Sequence, residues 1–76
     1  KEMWRQYIYV YQASPEISGY ISELIAAYGE GVIDDRTLDM ELETLRKLGV
    51  PEARLALAKR RAQLRRARML ARAARR

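Results

Sequence analysis

The stretch from Ser14 to Gly49 reads SPEISGYISELIAAYGEGVIDDRTLDMELETLRKLG, and its spacing decides the fold of this chain. Ser14 is a good helix N-cap, and Pro15 suits the first helical position because the N–H it lacks would have no intrahelical partner there. Ile17, Tyr20, Ile21, Leu24, Ile25 and Tyr28 then recur at steps of three and four, the spacing that lines one face of a helix. Gly29 and Gly31 end that helix. A second helix begins at Asp34 or Asp35, whose carboxylates suit the orphan amides and the positive end of the helix dipole. Leu38, Leu42, Leu45 and Leu48 form its buried stripe, Glu43 is placed to pair with Lys47, and Gly49 supplies a left-handed stop. Two helices joined by so short a loop predict an antiparallel hairpin.

Beyond the hairpin, a third helix is expected from near Pro51 towards the C-terminus. About 25 residues at roughly 1.5 Å each span nearly 40 Å, more than the hairpin can cover. Part of this helix must therefore project or meet another subunit. Its large apolar residues are few: Leu55, Leu57, Leu64, Met69 and Leu70, with alanine in most of the remaining apolar positions. Alanine favours the helix intrinsically but buries little surface, so propensity rather than packing holds this segment helical. The expectation is a single all-α domain in three parts: an N-terminal arm of residues 1–13, a helical hairpin of residues 14–49 serving as assembly core, and a basic helix of residues 50–76. Leu38, Leu42, Leu45, Leu64 and Leu70 are the expected assembly interface. The arm stays open between helix and short strand. In a strand, Tyr7, Tyr9 and Tyr11 share one face, whereas a helix groups Met3, Tyr7, Val10 and Tyr11.

Composition narrows the function. The chain has 76 residues, with no cysteine and no histidine. Disulfides, thiol nucleophiles, Ser–His–Asp triads and imidazole acid–base catalysis are thereby excluded, and the expectation is a non-enzymatic protein without cofactor or small-molecule substrate. So short a chain buries a small fraction of its surface, which favours self-association or a bound polyanion as a further source of stability. One third of the residues are charged and Phe and Asn are absent, in the manner of thermophile proteins.

The net charge of +5 conceals a division. Residues 1–53 carry five basic and ten acidic side chains, a net −5, whereas residues 54–76 carry ten basic side chains and no acid, a net +10. At about 100° per residue, Arg54, Arg61, Arg65, Arg68, Arg72 and Arg75 fall within a sector of about 80° on the third helix, with Ala56, Ala67, Leu70 and Ala74 roughly opposite. Lys59, Arg60 and Arg66 flank that apolar strip.

Arginines packed along one stripe repel one another, and a row of phosphates relieves the cost. The planar guanidinium fork binds phosphate oxygens bidentately. The stripe therefore points to nucleic acid, double-stranded DNA in the first instance, bound through phosphates without regard to sequence. Six neutralised phosphates imply a log–log salt slope of about −5. Two other partners fit a basic face. One is the acidic surface of Asp34, Asp35, Asp39, Glu41 and Glu43, in the same or a neighbouring chain; the other is an anionic membrane, served poorly by an alanine-rich side without aromatics. The tyrosines of the arm, with Trp4 and Arg5, offer a stacking platform for single strands or else a buried interface. Asp34, Asp35 and Asp39 lack the spacing of a Ca²⁺ loop and read as caps and surface charge. No apolar run reaches membrane-spanning length and no signal-peptide pattern stands at the N-terminus, so the expected location is intracellular or inside a virion.

Two families share parts of this pattern. Residues 7–11 as ribbon, with 15–28 and 34–48 as helices, resemble ribbon-helix-helix repressors, which implies a small DNA-binding transcriptional regulator. The phrase from Tyr28 through Gly29, Gly31, Asp34 and Asp35, then Leu38, Leu42, Leu45 and Leu48-Gly49-Val50-Pro51-Glu52, is similar to helical segments in structural proteins of tailed phages and archaeal viruses. That resemblance covers residues 28–66 and implies a self-assembling virion or genome-packaging component that holds nucleic acid with its arginines.

Overall fold

The computed structural model describes residues 15–75. They form α1 (Pro15–Gly29), α2 (Asp35–Lys47) and α3 (Glu52–Ala74), with no strand among the described residues. The fold is all-α, a helical hairpin followed by a long C-terminal helix. The arm, its tyrosines and the Ser14 cap lie outside the described residues.

The turn chemistry acts as the sequence predicts. Gly31 has φ 79° and Gly49 φ 99°, the left-handed conformation that residues with a Cβ avoid. Each closes the preceding helix with a double hydrogen bond. The N–H groups of Gly31 and Val32 reach the carbonyls of Tyr28 and Ala27 at 3.1 and 2.8 Å, and those of Gly49 and Val50 reach Arg46 and Leu45 at 3.0 and 3.1 Å. These bonds satisfy carbonyls that a helix end would otherwise leave unpaired. At the start of α2, the carboxylate of Asp34 accepts the Thr37 N–H at 2.8 Å, and this bond holds the Asp34 pKa below its ordinary value. Glu43 pairs with Arg46, not with Lys47: the Arg46 guanidinium donates to both carboxylate oxygens, Nε at 2.9 Å. The planar fork engages two oxygens at once, where an ammonium is a single point charge.

Three sets of contacts fix the helix directions. The Tyr20 and Tyr28 hydroxyls donate to Glu41 and Asp35, which makes α1 and α2 antiparallel. Lys59 bonds Asp39 at 2.9 Å and Arg46 lies 3.8 Å from Glu52, so α2 and α3 are antiparallel as well. Consequently α1 and α3 run parallel, with Ser18 abreast of Arg54 and Gly29 abreast of Arg65. This parallel pair is the principal helix packing in the molecule. A Cβ on Gly29 would lie 2.5 Å from the Arg65 Cγ, so only glycine lets the arginine stem cross α1 at this point.

All three helices build the core. Ile17, Ile21, Leu24 and Tyr28 meet Leu38, Leu42, Leu45, Val50, Leu55, Ala58 and Ala62, with Ile25 and Ile33 packed at the edge. One expectation is corrected here. Leu38, Leu42 and Leu45 are 2%, 8% and 1% exposed within the single chain, so they line its own core and present no surface to another subunit. In α3, the buried residues are Leu55, Ala58 and Ala62, whereas Ala56, Ala67, Leu70 and Ala74 face solvent. The face opposite the arginines is therefore not the one that packs. The buried face sits about a quarter turn from the stripe, because alanine lets α1 and α3 approach closely along Ala58 and Ala62.

Candidate nucleic-acid interface

The position of α1 divides the arginine stripe into two functional parts. In the proximal part, α1 uses the side chains it reaches. The half-buried Arg54 donates to the Ser18 hydroxyl at 2.8 Å. Arg65 lays its stem across Gly29 and holds its head 4.0 Å from Glu30. Arg66, beside the stripe, places its guanidinium 4.7 Å from the centre of the Tyr28 ring, a cation–π contact on a ring that is itself buried. Lys59 is drawn to Asp39, whose hydrogen bond and charge raise the ammonium pKa above its ordinary value. No basic residue stands in the last turn of α1, and Arg65 and Arg66 of α3 supply positive charge at that end instead. Cations there complement the negative end of the helix dipole.

In the distal part, and at Arg61 between the engaged arginines, these demands stop. Arg61, Arg68, Arg72 and Arg75 are exposed, and none has a hydrogen bond or ion pair with another side chain among the described residues. They follow one side of α3 over about 21 Å at roughly 5 Å intervals, except for the turn that Arg65 occupies. Arg61, Arg65, Arg68 and Arg72 also border an open groove of about 450 Å³ whose apolar side is formed by Ile25, Leu64 and Met69. Arg65 belongs to both parts. Its contact with Glu30 is long and half exposed, and exposed ion pairs of this kind contribute about 0–1 kcal/mol, so a phosphate can replace the carboxylate at little cost.

All six predicted arginines therefore lie along one side of α3, and the structure separates Arg54 from the freely presented set. Of the predicted interface leucines, only Leu64 and Leu70 remain at the surface, 46% and 62% exposed. The acids of α2 are largely committed within the chain: Asp34 caps its helix, Asp35 takes the Tyr28 hydroxyl, Asp39 holds Lys59 and Glu43 holds Arg46. Three contacts went unread in the sequence: Ser18 with Arg54, Gly29 with Arg65, and Tyr28 with Arg66. Each joins residues more than thirty positions apart, and no local pattern marks them. Among the described residues no group of three carboxylates is disposed to hold a metal ion, and no helix is long and apolar enough to cross a membrane.

Among the described residues, fold and surface together define three helices, the last of them basic and continuing past the end of the first. No family model, curated protein or solved structure matches the chain. The functional reading accordingly rests on its own residues.

Proposed function

We propose that this chain is a non-enzymatic nucleic-acid-binding protein that holds the phosphates of duplex DNA along the distal half of α3. The observation that carries the reading is the row of Arg61, Arg68, Arg72 and Arg75, exposed and without side-chain partners among the described residues, in a segment that contains no acid from residue 53 onwards. Phosphate contacts position a protein on DNA but carry no sequence information. Non-specific coating of this kind serves genome packaging, in a virion or a comparable compact assembly.

The free row supplies fewer charges than six. Four or five neutralised phosphates give a log–log salt slope of about −4 for duplex DNA. Replacing Arg61, Arg68 and Arg72 with glutamine should flatten that slope by about 2.7 and weaken binding by a similar factor on every sequence. Fluorescence anisotropy across a salt series, on two unrelated duplexes, measures both quantities. A triple variant that binds as tightly as the parent would remove the row from the interface. A preference for one duplex that survives competitor DNA would favour a transcriptional regulator instead.

A further inference from the structure

Two rows of like charge repeat every seven residues in this chain. Glu16, Glu23 and Glu30 follow α1, and Arg61, Arg68 and Arg75 follow α3. Seven residues make nearly two turns, so each row runs almost straight with its charges about 10.5 Å apart. Glu16 and Glu23 are exposed and form no hydrogen bond or ion pair with any described residue. They lie about 120° around α1 from the face of Ile17, Ile21, Leu24 and Tyr28. The two rows cannot satisfy each other within one chain. Gly29 stands abreast of Arg65, so Arg68 and Arg75 lie beyond the end of α1.

The surfaces beside these rows also match in shape. On the side of α3 opposite Leu55, Ala58 and Ala62, the exposed residues Leu57, Leu64, Ala67 and Ala71 alternate in steps that keep a coiled-coil seam in line. Leu57 and Leu64 are each 46% exposed. On α1, Gly19 and Ala26 stand beside the glutamates, again seven residues apart, and open space surrounds the position where a Gly19 Cβ would be. Leucines at one seven-residue interval thus face small residues at the same interval, next to complementary charges. Arg60 also lies on the seam side, as does Arg75 at the far end.

We propose that α3 of one copy docks antiparallel on α1 of a second copy, with Arg61 against Glu23, Arg68 against Glu16, Leu57 over Ala26 and Leu64 over Gly19. The shared repeat keeps both pairs in register. The two surfaces differ, so the contact is heterologous and leaves a free α1 at one end and a free α3 at the other. Such contacts propagate as an open chain unless the rotation closes a ring. Arg61 and Arg68 face either these glutamates or phosphates, so association competes with nucleic-acid binding at those two positions, and variants at Glu16 and Glu23 act on the association without removing an arginine.

The test is analytical ultracentrifugation of the full chain, free of nucleic acid, at low and high salt. The parent's average mass should rise with concentration and fall as salt screens the rows. Glu16→Lys with Glu23→Lys, and separately Arg61→Glu with Arg68→Glu, should each weaken association about tenfold or more, given the modest strength of exposed ion pairs and the repulsion introduced. An equimolar mixture of the two variants should regain association, because Arg61 and Arg68 of the first meet Glu23 and Glu16 of the second. The milder Glu16→Gln with Glu23→Gln should weaken it less, in the same direction, and circular dichroism confirms that each variant is folded. A parent that stays monomeric at low salt overturns the proposal. So does a lysine variant that associates like the parent, or a mixture that stays monomeric where the parent assembles.

Discussion

The two halves of α3 have nearly the same composition and opposite roles. From Glu52 to Arg66, alanine and arginine are construction material: Ala58 and Ala62 are buried, Arg54 bonds Ser18, Arg65 crosses Gly29 and Arg66 covers Tyr28. From Ala67 to Arg75 every residue is exposed. What separates the halves is the place where α1 stops. A residue's role here follows from whether a neighbour engages it: Arg54, Arg65 and Arg66 are engaged by α1, whereas Arg61, level with α1 but exposed, is unoccupied like the arginines beyond its end.

The sharpest way to break this contrast is to remove a leucine from each half. Leu55→Ala should cost about 2–5 kcal/mol of unfolding free energy, whereas Leu70→Ala should stay within about 0.5 kcal/mol, as measured by chemical denaturation. Equal losses would mean that the distal half is packed in solution. A smaller effect runs in the other direction. Ala62→Leu overfills the tightest contact of the core and should cost about 1–3 kcal/mol, while Ala71→Leu should be close to neutral in a dilute monomer. At higher concentration, Ala71→Leu also bears on the docking of α3 with a second copy, since it enlarges the seam.

The smallest effect is that of pH, and it acts on the hairpin and the proximal half alone. Asp34 and Glu43 have pKa values below the ordinary 3.8 and 4.5, through the Thr37 N–H and the Arg46 guanidinium respectively. Their contribution to stability is therefore complete above those ordinary values and is lost as pH falls through the lowered ones. Lys59, raised above 10.5 by Asp39, contributes fully below that value and loses its contribution as pH rises through the raised one. Thermal unfolding followed from pH 6 to pH 2 should show a falling Tm. Asp34→Asn keeps a capping side chain without a titrating group and should flatten part of that fall. An unchanged acid limb in this variant would assign the loss to other carboxylates.

Much of this molecule is legible without coordinates. Pro15, Asp34, Gly31 and Gly49 mark helix ends because capping and left-handed turns are local chemistry, settled within four or five residues. The leucines of α2 announce a buried stripe because large apolar side chains gain enough from burial for their period to be read. The same reasoning has less to work with on α3. Alanine gains so little from burial that spacing does not tell Ala58 and Ala62, which pack, from Ala56, Ala67 and Ala74, which do not. The site was half legible for the same reason. That six arginines share one side of a helix follows from their numbering; that α1 engages Arg54 and Arg65 and leaves Arg61, Arg68, Arg72 and Arg75 outward depends on contacts between distant parts of the chain.

The sequence by itself determined three helices, their ends, and the division of charge between an acidic hairpin and a basic helix, all consequences of short-range spacing and composition. Only the tertiary structure decided that α3 runs parallel to α1, that Leu38, Leu42 and Leu45 are spent inside the chain, and how far along α3 the packing reaches. Helix periodicity records which residues share a side. Which side is covered, and over what length, is set by the residues that arrive from elsewhere.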